Sequence, residues 1–353
     1  MIGKQAQSAD GGSFALQAGG NITIGVSAAE ARQIALDVFH ANLLQFKNEA
    51  FETARKRGEQ ITEKIFSKLQ AENPAGLNQA KTPDFQDAVF TAQKEFATAG
   101  DEDLGDLLVD LLVDRTKQEH RNLTQLVLSQ ALHTAPKLTT TQITTLSFLF
   151  VVQNVHFGTS GTPSQLCDKF ARHLQMFLAG TNSGAATMGH LQFCGCGAAE
   201  SSAIGRKDYW QWLIEQYPGL FKVGFSQERI EAAQLSAKGR YLLMPCINDA
   251  SLFQVASIND SLLLINAEQL QLDDDDIAKL KTLHSESAME LNQVKDLLVG
   301  IAPFMLDVSK KWNEMPVFNL TSVGKAIGHA NVKRLSGEVA PLSIWLDESS
   351  VAA

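Results

Sequence analysis

An eight-residue unit occurs twice in succession near the start of the chain, in residues 10–17 and 18–25. Each copy has two glycines, a short polar residue and two apolar residues that flank one small residue. This alternation predicts two short strands, each with one apolar face. The glycines at the junction permit the positive φ of a tight hairpin turn.

A lone two-stranded hairpin is marginally stable in water and leaves two open edges. We therefore expect the predicted hairpin to pair with copies of itself, although a terminal ribbon packed on its own domain is the alternative. The residues that we assign to self-association are Phe14, Leu16, Gln17, Gly19, Gly20, Asn21, Ile22 and Ile24.

A helical pattern begins directly after the repeat. Ser27 and Glu30 have the spacing of an N-terminal capping box. Apolar residues then keep helical spacing from Ile34 to Leu69, where a proline and a glycine follow. The pattern predicts a single helix about 65–70 Å long, which occupies most of segment 27–75.

The rest of the chain has the apolar spacing of shorter helices. The predicted fold class is mainly α: an N-terminal β-hairpin in residues 1–26, a long helix in 27–75, and a mainly helical domain in 76–353 with minor β elements in its second half. Within that domain we predict a helix that begins at Pro83 with Gly100 just past its end, and helices that begin at Thr139 and after Asp273. We also predict a helix over 101–134, a helix over 291–312 that Pro303 kinks or splits, and a small hairpin around Asn259-Asp260.

Composition narrows the classes of function. A net charge of −9 over 353 residues argues against a nucleic-acid binder, which needs clustered Lys and Arg. The longest apolar run, residues 146–152, is far shorter than the roughly 20 residues that span a bilayer. The first residues lack the apolar core of a signal peptide, and the four cysteines have no paired spacing. We therefore expect a cytoplasmic protein without a membrane span.

The cysteines and histidines are the first candidates for chemistry. His190 and the pair Cys194 and Cys196 could bind zinc together with Cys167 or Cys246, but Cys-x-Cys is a poor spacing for a structural zinc site. Cys194 or Cys196 beside a histidine could also form a nucleophile pair. We predict instead that both are buried thiols in a glycine-rich turn.

Two further motifs have structural explanations. The aspartates at 273–276 lack the glycine and the glutamate of a calcium loop, so we predict that they lie at a helix N-terminus. The glycines of the repeat are not followed by the Gly-Lys-Ser/Thr of a phosphate loop. We assign no catalytic residue, no metal ligand and no cofactor.

Two segments resemble known families. Residues 16–22 resemble the Gln-x-Gly-x-x-Asn core of RHIM-like and bacterial amyloid-signalling motifs, which recruit partners by β-stacking. Ala18 stands where those motifs have a bulky β-branched residue, which favours a discrete oligomer over a fibril. Residues 138–139 and 320–324 are similar to segments in helical cores of bacterial abortive-infection alpha type proteins, which are associated with anti-phage defence. That resemblance covers residues 100–345 and brings no catalytic residues.

The leading hypothesis is a self-assembling, non-catalytic bacterial protein that senses or effects antiviral defence. Its partners would be copies of itself and a protein trigger or effector. The alternative is a hydrolase or transferase with its site in residues 154–205, which expects a deep polar pocket around His156, His190 and Cys194. A third hypothesis is a membrane-active effector that buries its apolar faces until it is triggered.

Overall fold

The computed structural model describes residues 27–42, 49–118, 120–158, 160–200, 207–257, 259–337 and 339–346. These residues are mainly α-helical with a few three-residue strands, which confirms the predicted fold class. The hairpin predicted in residues 10–25 lies outside them. The chain forms two compact units, a first unit within residues 1–119 and a second unit within residues 120–353. No helix in the described ranges is long and apolar enough to cross a membrane.

In the first unit the described residues form four α-helices. A 3₁₀ segment, Pro74–Lys81, connects the second helix to the third. The α-helices are α1 (Ala28–Asn42), α2 (Glu49–Glu72), α3 (Pro83–Ala99) and α4 (Glu102–Thr116).

The second unit combines helices with two small antiparallel sheets. Strand β1 (Gly197–Ala199) pairs with β4 (Phe318–Leu320), and β2 (Leu243–Pro245) pairs with β3 (Phe253–Val255). Short 3₁₀ segments cover Ala135–Lys137, Gln175–Phe177 and Leu342–Trp345. The α-helices are α5 (Leu123–Thr134), α6 (Thr140–Asn154), α7 (Pro163–His173), α8 (Ala185–Phe193), α9 (Tyr209–Gln216), α10 (Gln227–Ala233), α11 (Ala237–Arg240), α12 (Asp260–Leu270), α13 (Asp274–Glu286), α14 (Leu291–Ile301), α15 (Met305–Glu314) and α16 (Ser322–Ser336).

The prediction of one long helix over residues 27–72 is wrong, because α1 and α2 lie antiparallel. Arg32 Nε is 2.8 Å from Glu63 Oε2, whereas 31 residues of continuous helix would separate these residues by about 46 Å. The ring of Phe39 packs against Gly58, where an added Cβ would lie 2.0 Å from Phe39 Cε1. Folding back buries the apolar stripes of both helices, which an extended helix would leave in water.

The predicted boundary at residue 75 does not separate compact units. Helices α3 and α4 pack on α2, so the first unit extends to residue 119. The predicted ends of α3 are confirmed: the helix begins at Pro83, and Gly100 ends it with φ of 66°. Inside the unit, the buried amide of Gln93 donates to the Thr62 hydroxyl over 2.7 Å and to the Ala35 carbonyl over 3.3 Å.

The second unit is centred on the contact between α6 and α16. Helix α6 begins at Thr139 as predicted, and Thr139 is its N-cap, in a closed capping box with Gln142. Gly328 lets the two helices approach closely, since an added Cβ would lie 2.7 Å from the Leu146 carbonyl oxygen. Buried Asn331 donates to the Ser147 hydroxyl over 2.8 Å across the same contact.

Pro303 splits the predicted helix over 291–312 into α14 and α15 and does not merely kink it, because proline lacks the backbone N–H of a helix interior. Two other predicted elements differ from the structure. The helix over 101–134 is divided into α4 and α5, with Asn122 as the cap of α5. The hairpin around Asn259 is wrong. Asn259 accepts the Leu262 N–H at 2.8 Å and caps α12, because the same short side chain serves turns and helix caps.

Candidate functional site

The eight residues assigned to self-association all lie outside the described residues. The structure describes the chain from Ser27, one residue after Val26. There the predicted capping box is confirmed: Glu30 N donates to Ser27 Oγ over 3.2 Å, and Ser27 N donates to Glu30 Oε2 over 3.0 Å. Any structure formed by residues 10–25 is therefore joined closely to the start of a capped, packed helix.

Helix α8 brings together two of the candidate catalytic residues. His190 lies in its last turn, Cys194 follows it, and Cys194 Sγ is 3.7 Å from His190 Nε2. The other ring nitrogen, Nδ1, is 2.9 Å from Gln142 Nε2 on α6. The thiol of Cys194, the imidazole of His190 and the amide of Gln142 thus contact one another in a row. A nucleophile site has the same spatial order of nucleophile, base and orienting group.

The α6 cap orients the amide that contacts His190. Gln142 Oε1 accepts the Thr139 N–H at 2.9 Å, and His190 Nδ1 is 2.9 Å from Gln142 Nε2 and 3.3 Å from Gln142 Oε1. The shorter contact fits a tautomer in which Nδ1 accepts from the amide and the ring proton lies on Nε2, which faces the sulfur. In that tautomer His190 donates toward Cys194 and does not remove the thiol proton. With the proton on Nδ1, which Oε1 can accept, Nε2 is instead free to act as the base.

The other cysteines are buried. Burial raises the pKa of Cys196 to about 12 and that of Cys167 to about 11, so both remain protonated thiols at neutral pH. Cys246 is also buried, whereas Cys194 is partly exposed. Within the described ranges, no group of three or more His, Cys, Asp or Glu side chains could hold a metal ion.

The aspartates at 273–276 begin α13, as predicted. Asp273 Oδ1 accepts the Asp276 N–H at 2.8 Å and caps the helix. Asp276 is buried and accepts the Ser236 N–H at 3.0 Å. These carboxylates therefore have a structural role at the ends of α11 and α13.

His156 lies at a cavity that neither His190 nor Cys194 lines. This basic cavity has a volume of about 750 Å³. Its lining includes Phe157, Lys169, Arg172, His173 and Lys333. This cavity therefore does not unite His156 with His190 and Cys194. Sequence reasoning missed the cations because α7 and α16 are about 160 residues apart, and no local motif connects them.

A second cavity, of about 460 Å³, has aromatic, amide and aliphatic side chains and two lysines in its lining. The rings of Trp212 and Trp312 have centroids 5.9 Å apart. Gln153, on its wall, donates to the Phe318 carbonyl over 2.8 Å and so connects α6 to β4. Such a lining can stack a planar group, but the amide of Gln153 is already used within the protein.

Comparison with known proteins relates the chain to one family. A family model described only as “:-like” matches residues 25–346 and names no activity. No curated protein and no solved structure matches the chain significantly.

Proposed function

The chain belongs to the “:-like” family over residues 25–346, and we propose that it is a self-assembling, non-catalytic protein of bacterial antiviral defence. It acts in the cytoplasm as a sensor or effector, and residues 10–25 are its assembly element. The observation that carries this proposal is the tandem repeat, which ends one residue before the capped start of α1. The family match begins where the repeat ends, which supports treating the repeat as a separate module.

The packing of α1 gives the repeat a mechanical role in the proposal. Helix α1 packs on α2 and α3, and Arg32 pairs with Glu63. With only Val26 between the repeat and the cap, a hairpin in one subunit would have little freedom relative to α1. Assembly at the repeat would then fix the spacing of the first units of neighbouring subunits.

The mass of the particle in solution tests the assembly element. Ile22→Asp with Ile24→Asp places like charges on neighbouring strands of a shared sheet, which disfavours pairing by about 0.2–1 kcal/mol per facing pair and also removes apolar burial. We expect light scattering to show a smaller particle with unchanged helical circular dichroism. Gln5→Asp with Gln7→Asp is the matched control, since it adds the same charge outside the repeat. An equal mass for all three proteins would refute self-assembly at the repeat.

Phage challenge tests the role in defence. Cells that express the wild-type chain should restrict plaque formation, and cells with the Ile22→Asp, Ile24→Asp variant should not. Failure of both to restrict any tested phage, with the particle mass behaving as expected, would leave assembly standing and remove the defence role.

An enzyme in residues 154–205 is the second candidate. The contact of 3.7 Å between Cys194 and His190 favours it, while the tautomer in which His190 Nδ1 accepts from Gln142 disfavours it. If the protein is such an enzyme, Cys194→Ser should abolish its activity without changing the particle mass. If the proposed function is correct, the same variant should still restrict phage.

A further inference from the structure

The basic cavity forms where three parts of the second unit converge. Its walls come from the residues after α6, the last two turns of α7, and the end of α16 with the residues that follow it. Lys169 and Arg172 lie on α7 and Lys333 on α16, so cations that are distant in sequence surround one volume. That volume, about 750 Å³, lies in the range of roughly 300–1,000 Å³ that is common for small-molecule sites.

The charge of the cavity differs from that of the chain. Half of the described residues that line it have basic side chains, and none of them is acidic; Glu338 lies outside the described residues. The chain as a whole has a net charge of −9. Like charges around a concave surface with low-dielectric walls reinforce one another and concentrate counter-ions there. The cavity is therefore a local attractor for anions on an acidic protein.

Helix ends explain only part of this pattern. Arg172 and His173 lie in the last turn of α7, and Lys333 lies in the last turn of α16, where the helix dipole favours cations. That preference acts at each helix end separately and does not direct two helix ends and His156 to one cavity. Lys169, His173 and Lys333 each have an interaction partner within the protein, so the relevant feature is their convergence.

The two imidazole rings of the cavity are held by their neighbours. His156 stacks on Tyr217 with centroids 4.6 Å apart, and its Nε2 donates to the Gln216 carbonyl over 2.9 Å. His173 stacks on Phe157 with centroids 5.5 Å apart.

We propose that the basic cavity binds a small phosphate-bearing molecule with at least two negative charges. Arginine and lysine form charge-assisted hydrogen bonds with phosphate oxygens, and a guanidinium can bind two of them at once. A single carboxylate would satisfy only part of this set of cations. The volume exceeds what one phosphate group needs, so the ligand has an organic part, as in a nucleotide. The site is independent of the assembly proposed above, and either can fail alone.

Calorimetric titration of the full chain with pyrophosphate and with ATP tests the site. We expect one molecule to bind per chain, and Arg172→Gln with Lys333→Gln to weaken binding at least about tenfold, since each lost charged hydrogen bond is worth about that factor. Lys137→Gln with Lys238→Gln is the matched control, because both are exposed lysines of the second unit outside the cavity. Arg172→Lys, which retains the charge, should lose less affinity than Arg172→Gln.

Comparison of the two probes distinguishes recognition of a nucleotide from recognition of phosphate groups alone. Tighter binding of ATP than of pyrophosphate supports a nucleotide, and equal binding supports recognition of the phosphates alone. The single variant Arg172→Gln, at an exposed residue, serves if the double variant fails to fold. Absence of saturable binding of both probes, or equal affinity in the cavity variant and the control variant, would overturn the proposal. Tighter binding of a single-stranded oligonucleotide than of ATP, lost in the same variant, would overturn it in favour of a nucleic-acid site.

Discussion

Gly324 lies so close to another segment that a side chain has no room. It is in the first turn of α16, and an added Cβ would be 1.8 Å from the carbonyl oxygen of Cys196. That oxygen accepts the Thr321 N–H at 3.1 Å, and the Thr321 hydroxyl donates to the Gly195 carbonyl over 2.6 Å. Because the obstacle is backbone held by these bonds, it cannot move as the tip of a side chain could.

We expect Gly324→Ala to lower the free energy of unfolding by about 1–3 kcal/mol or more, as overpacking does. Gly300→Ala is the matched control: it is also helical, and nothing lies within 4 Å of its added Cβ. It should stabilise the protein by up to about 1 kcal/mol through helix propensity. Urea unfolding followed by tryptophan fluorescence measures both, since all four tryptophans lie in the second unit. Equal stabilities for the two variants would contradict the close approach.

The residues that sequence reasoning assigned correctly are those whose role is local. Ser27, Thr139 and Asp273 cap helices through partners three residues away, and such spacing is visible in the sequence. The contact of His190 with Gln142 joins residues 48 positions apart. The spacing of the cysteines and histidines does not indicate that the amide of Gln142 contacts His190. The chemistry at Cys194 could therefore not be judged from the sequence.

Helices α1 and α2 show where periodicity fails at the scale of elements. Helical spacing identifies residues on one face, but it does not distinguish one long helix from two helices that fold back on each other. The contact of Phe39 with Gly58 decides between these possibilities, and it is a tertiary contact. The ends of α3 were predictable because Pro83 and Gly100 act through the backbone of their own residues.

Cross-linking tests the antiparallel arrangement. In a Cys194→Ser background, Arg32→Cys with Glu63→Cys should react with a short bismaleimide to give an intramolecular cross-link, because the native side chains are in contact. Gln33→Cys with Glu63→Cys tests the same pair of helices one residue away from the contact and should cross-link less. Absence of a cross-link between positions 32 and 63, at low protein concentration, would favour one continuous helix.

At the scale of the whole chain, the two compact units have their own cores. The second unit contains the four tryptophans, the basic cavity and a buried pair of basic residues, Lys222 and His284. Sequence reasoning predicted the helical class but placed the boundary at residue 75, because the proline and the glycine after the long apolar pattern are visible in the sequence and packing is not. The convergence of α7 and α16 on one cavity is likewise a property of the folded unit.

The buried pair makes the second unit sensitive to acid. Lys222 Nζ donates to the His284 carbonyl, and His284 is only 5% exposed, with its Nδ1 buried and unpartnered. Burial first, and then the charge of Lys222, lower the pKa of His284 from 6.5 to about 4, while Asp260 acts in the opposite direction. Burial also lowers the pKa of Lys222 to about 8. Protonation of His284 is therefore easier in the unfolded chain than in the folded one.

The depressed pKa of His284 determines the direction of the pH effect. Above pH 6.5 the imidazole is neutral in both the folded and the unfolded state and does not change the free energy of unfolding. As the pH falls from 6.5 to 4, the unfolded chain binds a proton that the folded unit does not, so the folded state loses about 3 kcal/mol of relative stability.

We expect His284→Leu to remove this part of the acid dependence, measured by urea unfolding with tryptophan fluorescence at pH 7 and pH 4. His133→Leu, at an exposed histidine of the same unit, should retain it. Carboxylates that titrate in the same range contribute equally to all three proteins, so the difference between the two variants isolates His284. If both variants lose the same stability between pH 7 and pH 4, His284 does not titrate as a buried group.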